Sequence, residues 1–217
     1  MIAVRRALAT ALLLSGLAIL AGLTPLASDA MAQNAAPALL AKPMSLPDMA
    51  LGPAKAAVTI IEFASMSCPH CAAFEQNVFP MLRSKYIDRG RLRFVFREFP
   101  LDIKAAAASM LARCIAKDDA EKFFDTVDRL FKQQDQLMTQ TQQTLQLIAK
   151  QSGMGDQGAE TCTKDQALLD KIAADQKFAF DVLKVDATPA FFINGERVKG
   201  SMSFEELEAR IRPLLKK

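Results

Sequence analysis

Two cysteines three residues apart, Cys68 and Cys71, directly follow the apolar run Val58-Thr59-Ile60-Ile61-Glu62-Phe63-Ala64. The run is short and β-branched, which predicts a buried strand. Pro69 through Tyr86 predicts a helix, kinked near Pro80, where the ring removes a hydrogen bond. A strand feeding a helix whose first turn carries Cys-X-X-Cys is the setting for reversible thiol–disulfide chemistry.

The local chemistry follows from the order Cys68-Pro69-His70-Cys71. Pro69 suits the first helical position, where its missing N–H would be unpaired anyway. Cys68 then falls at the cap, with its sulfur facing the N–H groups of His70 and Cys71. A thiolate accepts such bonds better than a thiol, and the helix dipole adds positive potential. His70 can add a charge or a donor. All three effects lower the Cys68 pKa. Stabilising the thiolate stabilises the reduced pair, and each ~1.4 kcal/mol raises the potential of a two-electron couple by about 30 mV. Zinc would need four ligands, whereas Cys114 and Cys162 form no second Cys-X-X-Cys and the chain has one His. Haem attachment would need His where Ala72 stands. No metal and no cofactor is expected. A purely structural Cys68–Cys71 disulfide is the bland alternative.

The chain has 217 residues, 51% hydrophobic and 24% charged, enough for one sizeable domain or one domain with a large insertion. A net charge of +3 without a Lys/Arg cluster gives no reason to expect nucleic acid. Arg5 and Arg6, the apolar Ala7 to Leu23 and the small residues of Ala30-Met31-Ala32 read as a signal peptide over 1–32, cleaved before Gln33. An uncleaved membrane anchor is the alternative, since that apolar stretch lies at the lower edge of spanning length. Segment 33–54 reads as a flexible lead-in, with a short edge strand at its end.

Arg91 to Phe99 alternates and predicts a second strand. From Lys104 to Leu183 the pattern is helical, with Asp118 and Glu121 as a capping box before Phe123 and Phe124. The glutamine-rich Gln133 to Gln151 reads as a solvated helix face and loop, and Gly153, Gly155 and Gly158 mark a loop. Ala190 to Ile193, the turn Asn194-Gly195 and Arg197-Val198 predict a hairpin. Ser203 and Glu206 cap a last helix running to about Leu215.

Glu62-Phe63, the CPHC, Phe74-Glu75, Phe96-Arg97-Glu98-Phe99-Pro100-Leu101 and Thr188-Pro189-Ala190-Phe191-Phe192-Ile193-Asn194-Gly195 resemble the DsbA family of thioredoxin-fold thiol:disulfide oxidoreductases. The resemblance covers roughly 55–215. It implies an α/β thioredoxin fold over 55–101 and 186–217, with an all-helical insertion over 102–185. Cys68 would be the exposed nucleophile, Cys71 the buried resolving thiol, and Pro189 a cis-proline facing them, with Thr188 turned toward substrate. Glu62 would lie beneath the dithiol with a raised pKa, as a proton carrier for Cys71. Glu75 could share that work or be a plain surface charge. Met66 and Met202 could line an adaptable groove for unfolded chains or fill the core.

The family also carries a pair such as Cys114 and Cys162. A disulfide between them would close a long loop and add up to about 4 kcal/mol, with two free buried thiols as the alternative. The implied activity is introduction of disulfides into unfolded secreted proteins with paired cysteines, in the periplasm, by a monomer. A membrane quinone-linked reoxidase is the partner that the family implies. Thr188 before Pro189 leans toward an isomerase or reductase on the same scaffold. A chaperone-type binding module with a vestigial CPHC is the third reading.

Overall fold

The computed structural model describes residues 38–42, 44–155 and 157–216. The expected signal peptide lies outside them. Five strands form one mixed sheet in the order β1-β3-β2-β4-β5. They are β1 Met49–Leu51, β2 Val58–Ala64, β3 Leu92–Glu98, β4 Ala190–Ile193 and β5 Glu196–Lys199. The central pair, β2 and β3, is parallel, with Glu62 opposite Phe96 and Ala64 opposite Glu98. β4 runs antiparallel to β2, pairing Glu62 with Phe191.

Alternation along β2 sends Ile60, Glu62 and Ala64 to one face and Ile61 and Phe63 to the other. The first face is covered by α1, Pro69–Asn77, and by α4, Ala120–Lys132. There Phe74 packs against Phe191 at 4.7 Å, and Phe79 lies between Phe94 and Phe124 at 4.9 and 5.6 Å. The second face takes Phe63, Val95 and Phe192 against Ala179 of α8, Gln166–Asp181, and against Leu183 and Val185. The helical segment over 102–185 therefore packs on both faces of the sheet. Its other helices are α3 Ile103–Ala116, α5 Gln134–Thr139, α6 Thr141–Gln151 and α7 Gly158–Thr163.

Several local expectations shift. The helix over Pro69 to Tyr86 is broken rather than kinked: α1 ends at Asn77, a short α2 spans Phe79–Leu82, and a π turn follows over Arg83–Ile87. Pro80 has no N–H to donate back, so the ladder restarts around it. The cap of α4 is Asp119, whose carboxylate accepts from the Lys122 N–H at 3.1 Å, one residue beyond the expected Asp118. The Ser203–Glu206 capping box is present, but the last helix, α9 Phe204–Ile211, stops just short of Pro213. The lead-in is tied down where it is described. Leu40, Met49 and Leu51 are buried, β1 pairs with β3, and Ser45 and Leu46 donate backbone N–H bonds to the Asp175 carboxylate.

Left-handed backbone shapes, among other turns, the exit from β1 and the β4–β5 hairpin. Gly52 leaves β1 at φ +81°, and a Cβ there would stand 2.1 Å from the Leu92 carbonyl oxygen. Asn194 and Gly195, at φ 48° and 90°, make the β4–β5 hairpin. The Asn194 side chain also stitches the turn to the start of β2, accepting from the Thr59 N–H at 2.8 Å and donating to the Ala57 carbonyl at 3.1 Å.

Candidate active site

The end of β2 turns through Ser65–Ser67 and enters α1 with Cys68 at the cap, φ −84° and ψ 116°, and Pro69 at the first helical position. The Cys71 N–H donates to Cys68 Sγ at 3.3 Å. Both cysteines are thiols in this structure, Cys71 fully buried and Cys68 nearly so. The Thr188–Pro189 peptide is cis, and Cys68 Sγ donates to the Thr188 carbonyl at 3.3 Å. The proline loop is thus brought against the first sulfur from a segment 120 residues away.

The two thiols are driven apart in acidity. Cys68 is lowered to about 6, first by its hydrogen bond with the Cys71 side chain, against opposition from burial, and then by Thr188 and the Cys71 and His70 N–H groups. Among the described residues the buried Thr188 hydroxyl has no partner other than the Cys68 sulfur, so it is available as that sulfur becomes negative. Burial pushes the Cys71 thiol far up, helped by Cys68 and by the nearby Glu62. One sulfur is a thiolate near neutrality and its partner keeps its proton.

Glu62 lies on the sheet face beneath α1, 1% exposed, with Oε2 unpaired. Burial, then the charges of Glu75 and Cys68, hold its carboxyl well above the usual range. Glu75, one turn beyond Cys71, is no surface charge. It is buried, its Oε2 is unpaired, and burial with Asp128 nearby raises it to about 8. Two buried acids therefore share the layer that holds Cys71.

His70 and Pro69 are exposed at the rim. Met66 is not a groove residue. It is fully buried in the main core, because the chain turns inward beneath the insertion before reaching Cys68. Met202 is buried too. Cys114 of α3 and Cys162 of α7 are joined by a disulfide, Cα to Cα 5.8 Å.

The active-site turn also makes contacts that the sequence pattern did not single out. Ser65 Oγ accepts from the Leu101 N–H at 3.1 Å and the Ser67 N–H at 3.3 Å. Gln134, first residue of α5, donates to the Met66 and Cys68 carbonyls. A serine before a CPHC, or one glutamine among many, carries no periodic or motif signal that would have marked it.

A thioredoxin family model matches residues 45–212. A Rickettsia bellii protein provisionally named a protein-disulfide oxidoreductase is 32% identical over 166 residues, covering 76% of this chain and 63% of its own length. The chain thus spans about three fifths of that relative. Bacillus subtilis disulfide bond formation protein D is 27% identical over 176 residues, 76% of each chain. Among solved structures, Wolbachia pipientis alpha-DsbA1 superposes with a TM-score of 0.73 at 32% identity, covering 83% of this chain and 96% of that one. With the capped dithiol, the cis-proline opposite it and a match of this extent, the chain belongs to the DsbA-like branch of the thioredoxin family.

Proposed function

We propose that the protein is a thiol:disulfide oxidase that works outside the cytosol and passes disulfides to newly exported chains. The observation that carries this reading is the split acidity of Cys68 and Cys71. In the oxidised enzyme a client thiolate attacks Cys68 Sγ. A client–Cys68 mixed disulfide forms and Cys71 leaves. Cys71 cannot remain an anion in its buried setting, so it takes a proton, with Glu62 as the donor. The second client thiol then attacks the client sulfur of the mixed disulfide. Cys68 leaves as a thiolate, which its low pKa makes easy. Two electrons pass from the client dithiol to the Cys68–Cys71 pair; Cys71 ends protonated and Cys68 as the thiolate, one client proton restoring Glu62 and the other going to water. Thr188 and the cis-proline loop would hold the client strand beside Cys68. A second thiol-disulfide partner must then remove the electrons, for which a quinone-linked membrane oxidase is the family's implied source.

The experiment is the equilibrium of the Cys68–Cys71 couple with glutathione. An oxidase requires a couple that stays largely reduced in a glutathione buffer that leaves thioredoxin-like dithiols oxidised. A strongly reducing couple would overturn the reading. An isomerase on the same scaffold has one observation in its favour, the Thr188 hydroxyl beside Cys68. It predicts rearrangement of scrambled disulfides and an obligate oligomer by solution mass.

A further inference from the structure

One side-chain amide of the insertion bonds two carbonyls of the active-site turn. Gln134 Nε2 stands 2.9 Å from the Met66 carbonyl and 3.1 Å from the Cys68 carbonyl. Two carbonyl oxygens can be met only by an amide nitrogen, so the orientation of the group is set, and both of its N–H bonds are used. The Cys68 carbonyl also receives the Ala72 N–H at 3.1 Å, the first bond of α1. Gln134 therefore holds the Cys68–Pro69 peptide, just after the cap residue whose sulfur faces the helix N-terminus, together with the Met66–Ser67 peptide one residue before it.

We propose that Gln134 is a positioning residue that sets the redox equilibrium of the dithiol, by holding Cys68 in the cap geometry when no sulfur–sulfur bond does so. In the oxidised protein the bond to Cys71 anchors Cys68 to the helix. In the reduced protein that anchor is gone, and the Cys71 N–H···Sγ bond survives only if the backbone at Cys68 stays in place. A restraint from outside is redundant in one state and needed in the other. Losing it costs the reduced form more, so the couple becomes more reducing and the Cys68 thiolate harder to form. The inference rests on the thiol chemistry proposed for Cys68 and Cys71, and not on the direction of electron flow.

The test uses Gln134→Met, which keeps the length and removes both donors. Gln76→Met is its control. Gln76 Nε2 bonds the Phe131 carbonyl at 3.4 Å, another link between α1 and the insertion, but touches no active-site carbonyl. For Gln134→Met the equilibrium constant with glutathione shifts about threefold to tenfold toward the disulfide, the span of one hydrogen bond of ordinary net strength. The Cys68 titration, followed by thiolate absorbance, moves upward. Gln76→Met lowers the urea midpoint without moving either quantity. A folded Gln134→Met protein with unchanged equilibrium and titration would overturn the proposal, as would equal shifts in both variants. Should Gln134→Met not fold, Gln134→Glu decides. Its couple turns more reducing than wild type as the introduced carboxyl ionises against two carbonyls, and a pH profile parallel to wild type overturns the proposal. A wild-type couple that is itself strongly reducing sinks the oxidase reading alone, because these differences are unaffected by where the wild type lies.

Discussion

Glu62 and Glu98 stand on neighbouring strands, two steps of register apart, and both are almost fully removed from water. Their surroundings differ. Glu98 is gripped by the Arg113 guanidinium of α3, through Nε and through Nη2 at 2.6 Å, and Arg113 goes on to the Pro47 carbonyl at 2.6 Å. Next to it, Arg97 holds Asp48 from the other face of the sheet at 2.8 and 3.0 Å. Glu62 faces Glu75 and Cys68, groups that can only be neutral or negative, and one of its oxygens has no partner. Burial alone does not say what a carboxyl is for. A matched fork ties strand, insertion and lead-in together, whereas an unmatched acid stores a proton beside the sulfur that must gain and lose one.

The largest effect should come from breaking the matched site. Arg113→Met leaves Glu98 buried without its cation and is expected to cost about 3–5 kcal/mol in urea unfolding. The glutathione equilibrium should stay where it is, and a shifted equilibrium would mean the two regions are not separate. Glu62→Gln should do the reverse. Formation of the mixed disulfide, in which Cys71 leaves and takes its proton from Glu62, slows by about 10²-fold in stopped-flow, the low end of general acid–base contributions. Stability near neutral pH rises, because a buried acid that resists ionisation is replaced by a neutral group. Equal rates for wild type and variant would remove Glu62 from the proton path.

A smaller effect separates Glu75 from both. Its folded pKa, about 8, lies above the ordinary carboxyl value. Its proton therefore stabilises the fold fully below that ordinary range, and the contribution is lost as pH climbs through about 8. Urea midpoints should decline from about pH 4 to about pH 9, and Glu75→Gln should flatten the slope by the equivalent of a few kcal/mol at most. An unchanged slope would show that Glu75 reaches water. The smallest change is at Cys68. Its folded pKa near 6 lies below that of a free thiol, so the reduced protein gains stability above the free-thiol range and loses it as pH falls through about 6. Alkylation rates should follow the same midpoint in wild type and move little in Glu62→Gln, since hydrogen bonds from Cys71, Thr188 and His70 set the acidity of Cys68.

Much of this was legible in the chain before folding. The order Cys68-Pro69 places a sulfur at a cap, the alternation of Val58 to Ala64 points Glu62 beneath it, and Thr188-Pro189 marks the facing loop. The first two readings depend on spacing within one strand or one turn, where local geometry leaves few choices, whereas the facing loop came from the resemblance to the DsbA family. Met66 and Glu75 stayed open between two readings each, because their burial depends on how the helices stack on the sheet. The break at Val78 and the cap at Asp119 were displaced by a residue or two, as ends of elements are when tertiary packing chooses among near-equal registers.

The amino-acid sequence by itself determined the dithiol, its place at a helix start, and the strand–helix–hairpin frame around it, since those follow from bond geometry and the period of apolar residues. Only the tertiary structure decided which buried charge finds a partner. Among the described residues, Arg113 meets Glu98, nothing cationic is paired with Glu62, and Gln134 rather than another glutamine reaches Cys68. Such matches join residues far apart in the chain, and they are settled by how α3, α4 and α5 stack on the sheet rather than by any local propensity.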